Sequence, residues 1–262
     1  MSIALQVALV MVTILVVLLV IGAPIGVAIG MSSAVSMICM IPADVSFATS
    51  AQRIFAGSNS FSLIAIPFFI LAGNIMNNGG IATRLVNCAK VISGRMPGAL
   101  AQSNVVANML FGAISGSGAA AAAAMGGTIG PLEEKEGYDK NYSTAVNVAS
   151  APVGMLIPPS NTMIVYSSVA GSLSIAALFM AGYIPGLLWG GAVMILAGIM
   201  AKKRGYQAEQ RVPVKVALKT FWQAIPSLLL IVIVIGGILG GIFTATEGSA
   251  IAVVYATVLS LI

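Results

Sequence analysis

The chain has 262 residues, 59% of them hydrophobic and only 7% charged, and it contains no histidine. An ordinary soluble domain is about a quarter charged, and the mean hydropathy here is +1.05, so the composition is that of a membrane protein. The formal charge of +5 comes from 12 basic and 7 acidic groups, too few for a nucleic-acid-binding surface, and the missing histidine excludes Ser/His proteolysis, histidine-based zinc sites and histidine-ligated haem.

A membrane span needs about 20 apolar residues. Ile3–Gly22 meets that length, and no basic segment or small-residue cleavage site accompanies it, so it reads as a first span and not a cleaved signal. Ala23–Ile41 reads as a second span and Pro42–Ser60 as a polar connection carrying Asp44 and Arg53. Phe61–Met76 is a third, bent near Pro67 and stopped by Asn77-Asn78-Gly79-Gly80. Over 81–98, Ile81, Leu85, Cys88 and Ile92 recur at helical spacing among Arg84, Lys90 and Arg95, the pattern of an amphipathic helix lying in the interface. Cys39 and Cys88 are far apart in sequence and read as small buried hydrophobes, not as a disulfide.

Asn104–Ile129 is long enough to cross, but Ile114-Ser115-Gly116-Ser117-Gly118 interrupts its middle, followed by six alanines. A re-entrant hairpin, entering and leaving by one face, places both flanking charged loops on the same side. Tyr142–Met180 then crosses as a helix broken at Ile157-Pro158-Pro159-Ser160-Asn161-Thr162, and Ala181–Ala201 crosses back. Residues 202–219 hold six basic residues, and Val214, Ala217, Leu218 and Phe221, at i, i+3, i+4 and i+7, mark a second interfacial amphipathic helix. Ala224–Phe243 spans again, and Gly248–Ile262 begins a further span that stops short. With the N-terminus outside, loops 78–103, 130–142 and 202–223 fall inside and hold eleven of the twelve basic residues, in accord with the positive-inside rule. The fold class is therefore an all-α polytopic membrane protein with a re-entrant hairpin and a broken helix. Its segments are scaffold helices (1–80), an interfacial arm (81–103), a hairpin and broken-helix portion (104–180), scaffold helices with a second arm (181–247) and the start of another span (248–262).

The two breaks carry the chemistry. In hydrocarbon an unpaired backbone group costs several kcal/mol, so a helix breaks there only where protein or a polar ligand satisfies the freed groups. At the first break, a helix ending at Ser115 and another starting near Ala119 present free carbonyls beside free N–H groups. Carbonyls and hydroxyls suit a hard cation, whereas N–H groups at a helix start suit a carboxylate. At the second, Pro158 and Pro159 lack N–H groups and so free carbonyls one turn earlier, while Ser160, Asn161 and Thr162 add side-chain oxygens. The candidate sodium ligands are Ser115, Gly116, Ser117, Gly118, Pro158, Ser160 and Asn161, with Ser115, Gly118 and Pro158 as main-chain ligands. Ser117, Asn161 and Thr162 are the candidate substrate contacts. The competing reading is that Gly and Ala merely allow close packing and the prolines merely kink. Among the acids, Glu133-Glu134-Lys135-Glu136 reads as a solvated loop, and Glu247 closes a capping box on Thr244. No phosphate-cradling Gly-Lys-Ser/Thr loop is present, so ATP hydrolysis is not expected, and no catalytic residue or cofactor is assigned beyond a coupling sodium ion.

Ile66-Pro67-Phe68-Phe69-Ile70-Leu71-Ala72-Gly73, Gly112-Ala113-Ile114-Ser115-Gly116-Ser117-Gly118-Ala119-Ala120, Ile157-Pro158-Pro159-Ser160 and Phe243-Thr244-Ala245-Thr246-Glu247 follow in order. Together they resemble the large membrane subunit of tripartite ATP-independent periplasmic (TRAP) transporters, with Ala245 where family members usually carry proline. The resemblance implies a sodium-driven, elevator-type importer of organic acids such as sialic acid or C4-dicarboxylates in the bacterial inner membrane. It also implies two partners: a soluble periplasmic solute-binding protein and a small four-helix membrane subunit. The family fold has two inverted repeats, so this chain is expected to be the N-terminal half, lacking the second hairpin and second sodium site and unable to transport alone. Ser115–Gly118 would form the first hairpin tip and Pro158–Thr162 the first broken helix, framing one sodium site. Alternatives are a divalent-anion/sodium symporter working without a binding protein, and a membrane scaffold that does not transport.

Overall fold

The computed structural model describes residues 3–171, 173–206 and 213–261, and all regular structure among them is helical. The chain divides into two compact units, Met1–Ser60 and Phe61–Ile262. The first holds α1 (Ile3–Val20), α2 (Ile25–Met37) and α3 (Ala43–Ser58). Pro24 and Pro42 stand immediately before α2 and α3, where a missing N–H costs nothing. Ser46 Oγ donates to Ala34 O at 2.6 Å and fastens α3 to α2. The stretch expected to be a polar connection is therefore mostly helix. The second expected span is a helix of only 13 residues, because Pro42 disfavours helical backbone at the residue before it and the chain turns after Met37. Cys39 is exposed and not buried as expected, and neither cysteine is paired.

The second unit begins with a 3-10 turn (Phe61–Ile64) leading into α4 (Ala65–Asn78), followed by α5 (Ile81–Ser93). One face of α5 (Ile81, Leu85, Val86, Cys88 and Ala89) is buried. Then come α6 (Ala99–Ser115), α7 (Gly118–Thr128), α8 (Gly130–Lys135), α9 (Lys140–Ser150), α10 (Val153–Leu156) and α11 (Asn161–Ala170). The last three are α12 (Ile175–Arg204), α13 (Val214–Leu239) and α14 (Ala245–Ser260). Among the described residues four helices are long and apolar enough to cross a membrane, beginning at Ile3, Phe61, Ile175 and Val214. The pair Lys140–Leu156 and Asn161–Ala170, bent by 48°, is a fifth candidate taken as one broken span.

Two sequence boundaries move. The broken helix stops at Ala170, not Met180, because Gly171 takes a φ of +67° that a side chain resists and Ser174 caps a new helix by accepting from Ala177 N–H. Downstream, the amphipathic segment containing Val214, Ala217, Leu218 and Phe221 is not a separate interfacial helix. It runs without interruption into the apolar stretch as one 26-residue helix through Pro226. The beginning of that expected arm, including Arg211, lies outside the described residues.

The core gathers Phe69 and Met76 of α4, Leu85 of α5, Phe111 of α6, Met125 of α7 and Leu230 of α13. A second cluster joins Leu100 and Val105 of α6, Tyr142 and Val146 of α9, and Ala197 and Ala201 of α12. Beside it Tyr138 stacks on Tyr206 at 4.3 Å, and Arg204 pairs with Asp139 at 3.1 Å. Thr246 at the start of α14 donates to Phe61 O just before α4, while Gly79 just past α4 abuts Ser260 at the end of α14. These two helices therefore run parallel. The capping box forms as the sequence implies: Thr244 accepts from Glu247 N–H, and the Glu247 carboxylate accepts from Thr244 N–H at 2.7 Å.

α6 and α10 approach main chain to main chain, where a Cβ built on Gly112 would sit 2.3 Å from Gly154 Cα. Backbone cannot yield as a flexible side chain can. Gly112→Ala is expected to cost about 1–3 kcal/mol through overpacking, read as a lowered melting temperature of the detergent-solubilised protein.

Candidate functional site

The first break is built by two residues. Gly116 caps α6 with a φ of +63°, its N–H donating to Gly112 O, and Ser117 turns extended to cap α7 by accepting from Ala120 N–H at 3.3 Å. The chain then doubles back: Asn104, early in α6, lines the same cavity as Gly126 near the end of α7 and Gly130 just beyond it. That is the hairpin the interrupted apolar stretch implied. At the second break Ile157 is extended, the Pro158–Pro159 bond is cis, and Ser160 caps α11 by accepting from Met163 N–H while donating to Met155 O.

The two breaks meet back to back. Asn161 N–H donates to Gly116 O at 3.1 Å, and Asn161 Nδ2 donates to Ser115 O at 3.3 Å. A Cβ on Gly116 would lie 2.9 Å from Pro159 O and 3.1 Å from Asn161 N, so glycine is required there by space as well as by φ. Gly118 is pressed against Ala151 O in the same way, and Gly73 of α4 against Ser115 Cβ. Each helix break thus supplies the partners that the other lacks.

Ser115, Gly116 and Asn161 are brought together, with Pro158 buried beside them. Ser117 is half-buried, while Thr162 is exposed and not held at the junction. The Ser160 hydroxyl is taken up by its two capping bonds. The Pro159 carbonyl beside Gly116 was not singled out from sequence, because only the fold reveals which proline faces the glycine. Asn161 Oδ1 is buried without a hydrogen-bond partner, and the Ser115 and Gly116 carbonyls each retain a second lone pair. The junction is therefore rich in acceptors and holds no charged side chain, an environment that favours a small hard cation over an anion.

A second polar layer lies lower on the hairpin. Asn108 Nδ2 stands within 2.9 Å of Asn104 Oδ1 and Asn147 Oδ1 and 2.8 Å of Ser150 Oγ, and Asn147 Nδ2 donates to Ala122 O. This fastens α6, α7 and α9 together. Next to it Glu133 is only 1% exposed, overturning its reading as part of a solvated loop. The acidic run misled because burial falls on one residue of the four: Glu134, Lys135 and Glu136 remain exposed. Neither Glu133 oxygen meets hydrogen-bond geometry with a protein donor. Burial pushes its carboxyl up to about 7, with neighbouring Ser143 and Asn104 holding it down in part.

A profile of the family described as the tripartite ATP-independent periplasmic transporter, DctM component, matches residues 12–262. An uncharacterized protein of Salmonella typhimurium is 54% identical over 231 residues, covering 88% of this chain and 53% of that protein. The isethionate TRAP transporter permease of Oleidesulfovibrio alaskensis is 44% identical, over 80% of this chain and 33% of its own length. The C4-dicarboxylate TRAP transporter large permease of Rhodobacter capsulatus is 38% identical, over 81% and 51%. The chain spans about half the length, or less, of these relatives.

Because the folded protein binds the Glu133 proton more tightly than the unfolded chain does, that contribution to stability is complete below the ordinary value of 4.5 and is lost as pH rises to about 7. The ionisable groups around it are Glu134, Tyr138, Lys140 and Tyr142; α6 and α7 contribute none. Glu133→Gln is expected to flatten the fall in melting temperature across that window, measured by thermal unfolding in detergent at a series of pH values.

Proposed function

Since the chain belongs to the DctM component family of tripartite ATP-independent periplasmic transporters, we propose that it forms part of the large membrane permease of a sodium-coupled importer of organic acids. It is a multi-pass membrane protein and a transporter component, and the reading adds the coupling ion, the substrate class and the mechanism. The observation that carries it is the junction of Ser115, Gly116 and Asn161, where the N–H groups of one break meet the carbonyl oxygens of the other and one buried amide oxygen stays unpartnered. Sodium held there by Ser115, Gly116 and Asn161 oxygens would replace hydrogen bonds that hydrocarbon cannot supply. Its charge would favour a carboxylate approaching Ser117 at the positive end of α7.

Isethionate and C4-dicarboxylates name the relatives' substrates; for this chain the class is a small organic acid, with sialic acid within it. A periplasmic solute-binding protein would deliver the acid, and a small membrane subunit would brace the permease in the bacterial inner membrane. Arg84, Lys90, Arg95, Lys135, Lys140, Lys202, Lys203 and Arg204 would lie on the cytoplasmic side. The hairpin and broken helix, fastened to each other, would travel as one body in an elevator movement.

The test is uptake of labelled organic acid by the complete transport complex containing this sequence, across a range of sodium concentrations. Asn161→Ala is expected to raise the sodium concentration for half-maximal uptake by about tenfold, the equivalent of ~1.4 kcal/mol, and Ser117→Ala to weaken uptake at saturating sodium. Unchanged uptake and sodium dependence in both variants would remove the basis for this site.

A further inference from the structure

The cavity beside Glu133 lies away from the hairpin tip. Asn104, which lines it, precedes Ser115 by eleven positions on α6, roughly 16 Å at the helical rise. The cavity measures about 320 Å³ and is lined by Asn104, Gly126, Gly130, Glu133, Ser143 and Asn147, with exposed Glu134 and Lys140 at its border. Three of these side chains keep polar atoms that are buried and unpartnered: both Glu133 oxygens, Ser143 Oγ and Asn104 Nδ2. Ser143 and Asn104 stand close enough to hold the Glu133 carboxyl down in part, but both are neutral; a buried carboxylate with no cationic partner is costly, and buried charges elsewhere in proteins are paired or bound to metal. Among the described residues no basic side chain forms an ion pair with it.

We propose that this cavity is a binding site for a small monovalent cation, held by the Glu133 carboxylate and Ser143 Oγ. A single buried negative charge matches a single positive one. Among the described residues no three His, Cys, Asp or Glu side chains come together as a divalent or transition metal would require. Two carboxyls against one ammonium in the lining disfavour an organic acid. A cation seated here would join α8 to the base of the hairpin, since Asn104 and Asn147 in the lining also belong to the amide layer linking α6, α7 and α9. The inference does not depend on the sodium reading of the hairpin tip.

The experiment is thermal unfolding of the purified protein at alkaline pH without organic acid, in sodium, potassium or choline chloride at equal ionic strength. Asn161→Ala serves as the background, so that the hairpin tip does not contribute. A melting temperature that rises with sodium or potassium over choline in this background, and no longer does so in Asn161→Ala/Glu133→Gln, supports the site. Ser143→Ala removes only a neutral oxygen and is informative should the glutamine variant fail to fold; it is expected to raise the half-saturating cation concentration by about tenfold. A response equal in all three salts, or a full cation response retained with both Glu133→Gln and Ser143→Ala, overturns it. So does a response to pH alone that is identical in sodium, potassium and choline, which would make Glu133 a proton site instead.

Discussion

Two interrupted helices satisfy each other, and the rest of the second unit is arranged to let them do so. The Asn161 main-chain N–H reaches Gly116 O, and its side-chain amide reaches Ser115 O, across a gap that any side chain at position 116 would fill. Each break alone would leave polar backbone exposed to hydrocarbon, at several kcal/mol per group. Joined, they pair part of the freed backbone, and one buried side-chain oxygen, Asn161 Oδ1, stays unpartnered. The glycines on the surrounding helices (Gly73, Gly112, Gly118 and Gly154) serve this meeting by letting backbones approach within contact distance.

Polarity in this unit is layered. The hairpin tip holds neutral acceptors, the amide cluster of Asn104, Asn108 and Asn147 lies beneath it, and Glu133, the one buried carboxyl among the described residues, lies beyond that. Electrostatics divides the work accordingly: amide and carbonyl oxygens stand where two helix ends converge, and an ionisable carboxyl stands where α8 meets the base of the hairpin. At the α9–α12 edge, the tyrosines at 138, 142 and 206 and the Asp139–Arg204 pair tie the end of the long α12 to the loop carrying Glu133. Tyr142 completes the link by donating to Ala197 O at 2.8 Å.

What the sequence made legible was whatever local chemistry decides. The Ser-Gly-Ser-Gly and Pro-Pro-Ser-Asn breaks were visible because glycine and proline act on their own backbone, and the Thr244–Glu247 capping box because its partners are three residues apart. Boundaries set by tertiary packing were less legible. The helix stop at Gly171 and the new cap at Ser174 were hidden inside a largely apolar run, and the basic start of α13 looked like a separate interfacial helix because charge pattern cannot show where a helix fails to stop. Glu133 was misread for a related reason: the sequence around it is uniformly charged, and only the fold turns one of those residues inward. The partners of Asn161 lie more than forty positions away, so their convergence followed from no local signal.

The Gly112–Gly154 contact has a mechanical consequence. Where two main chains touch with no side chains between them, there are no rotamers to rearrange, so a shift of α6 bears directly on the backbone of α10. Any displacement of the first break is transmitted to the second through backbone alone, without the lag of a side-chain linkage. The junction of the two breaks is thereby braced by main chain packed on main chain.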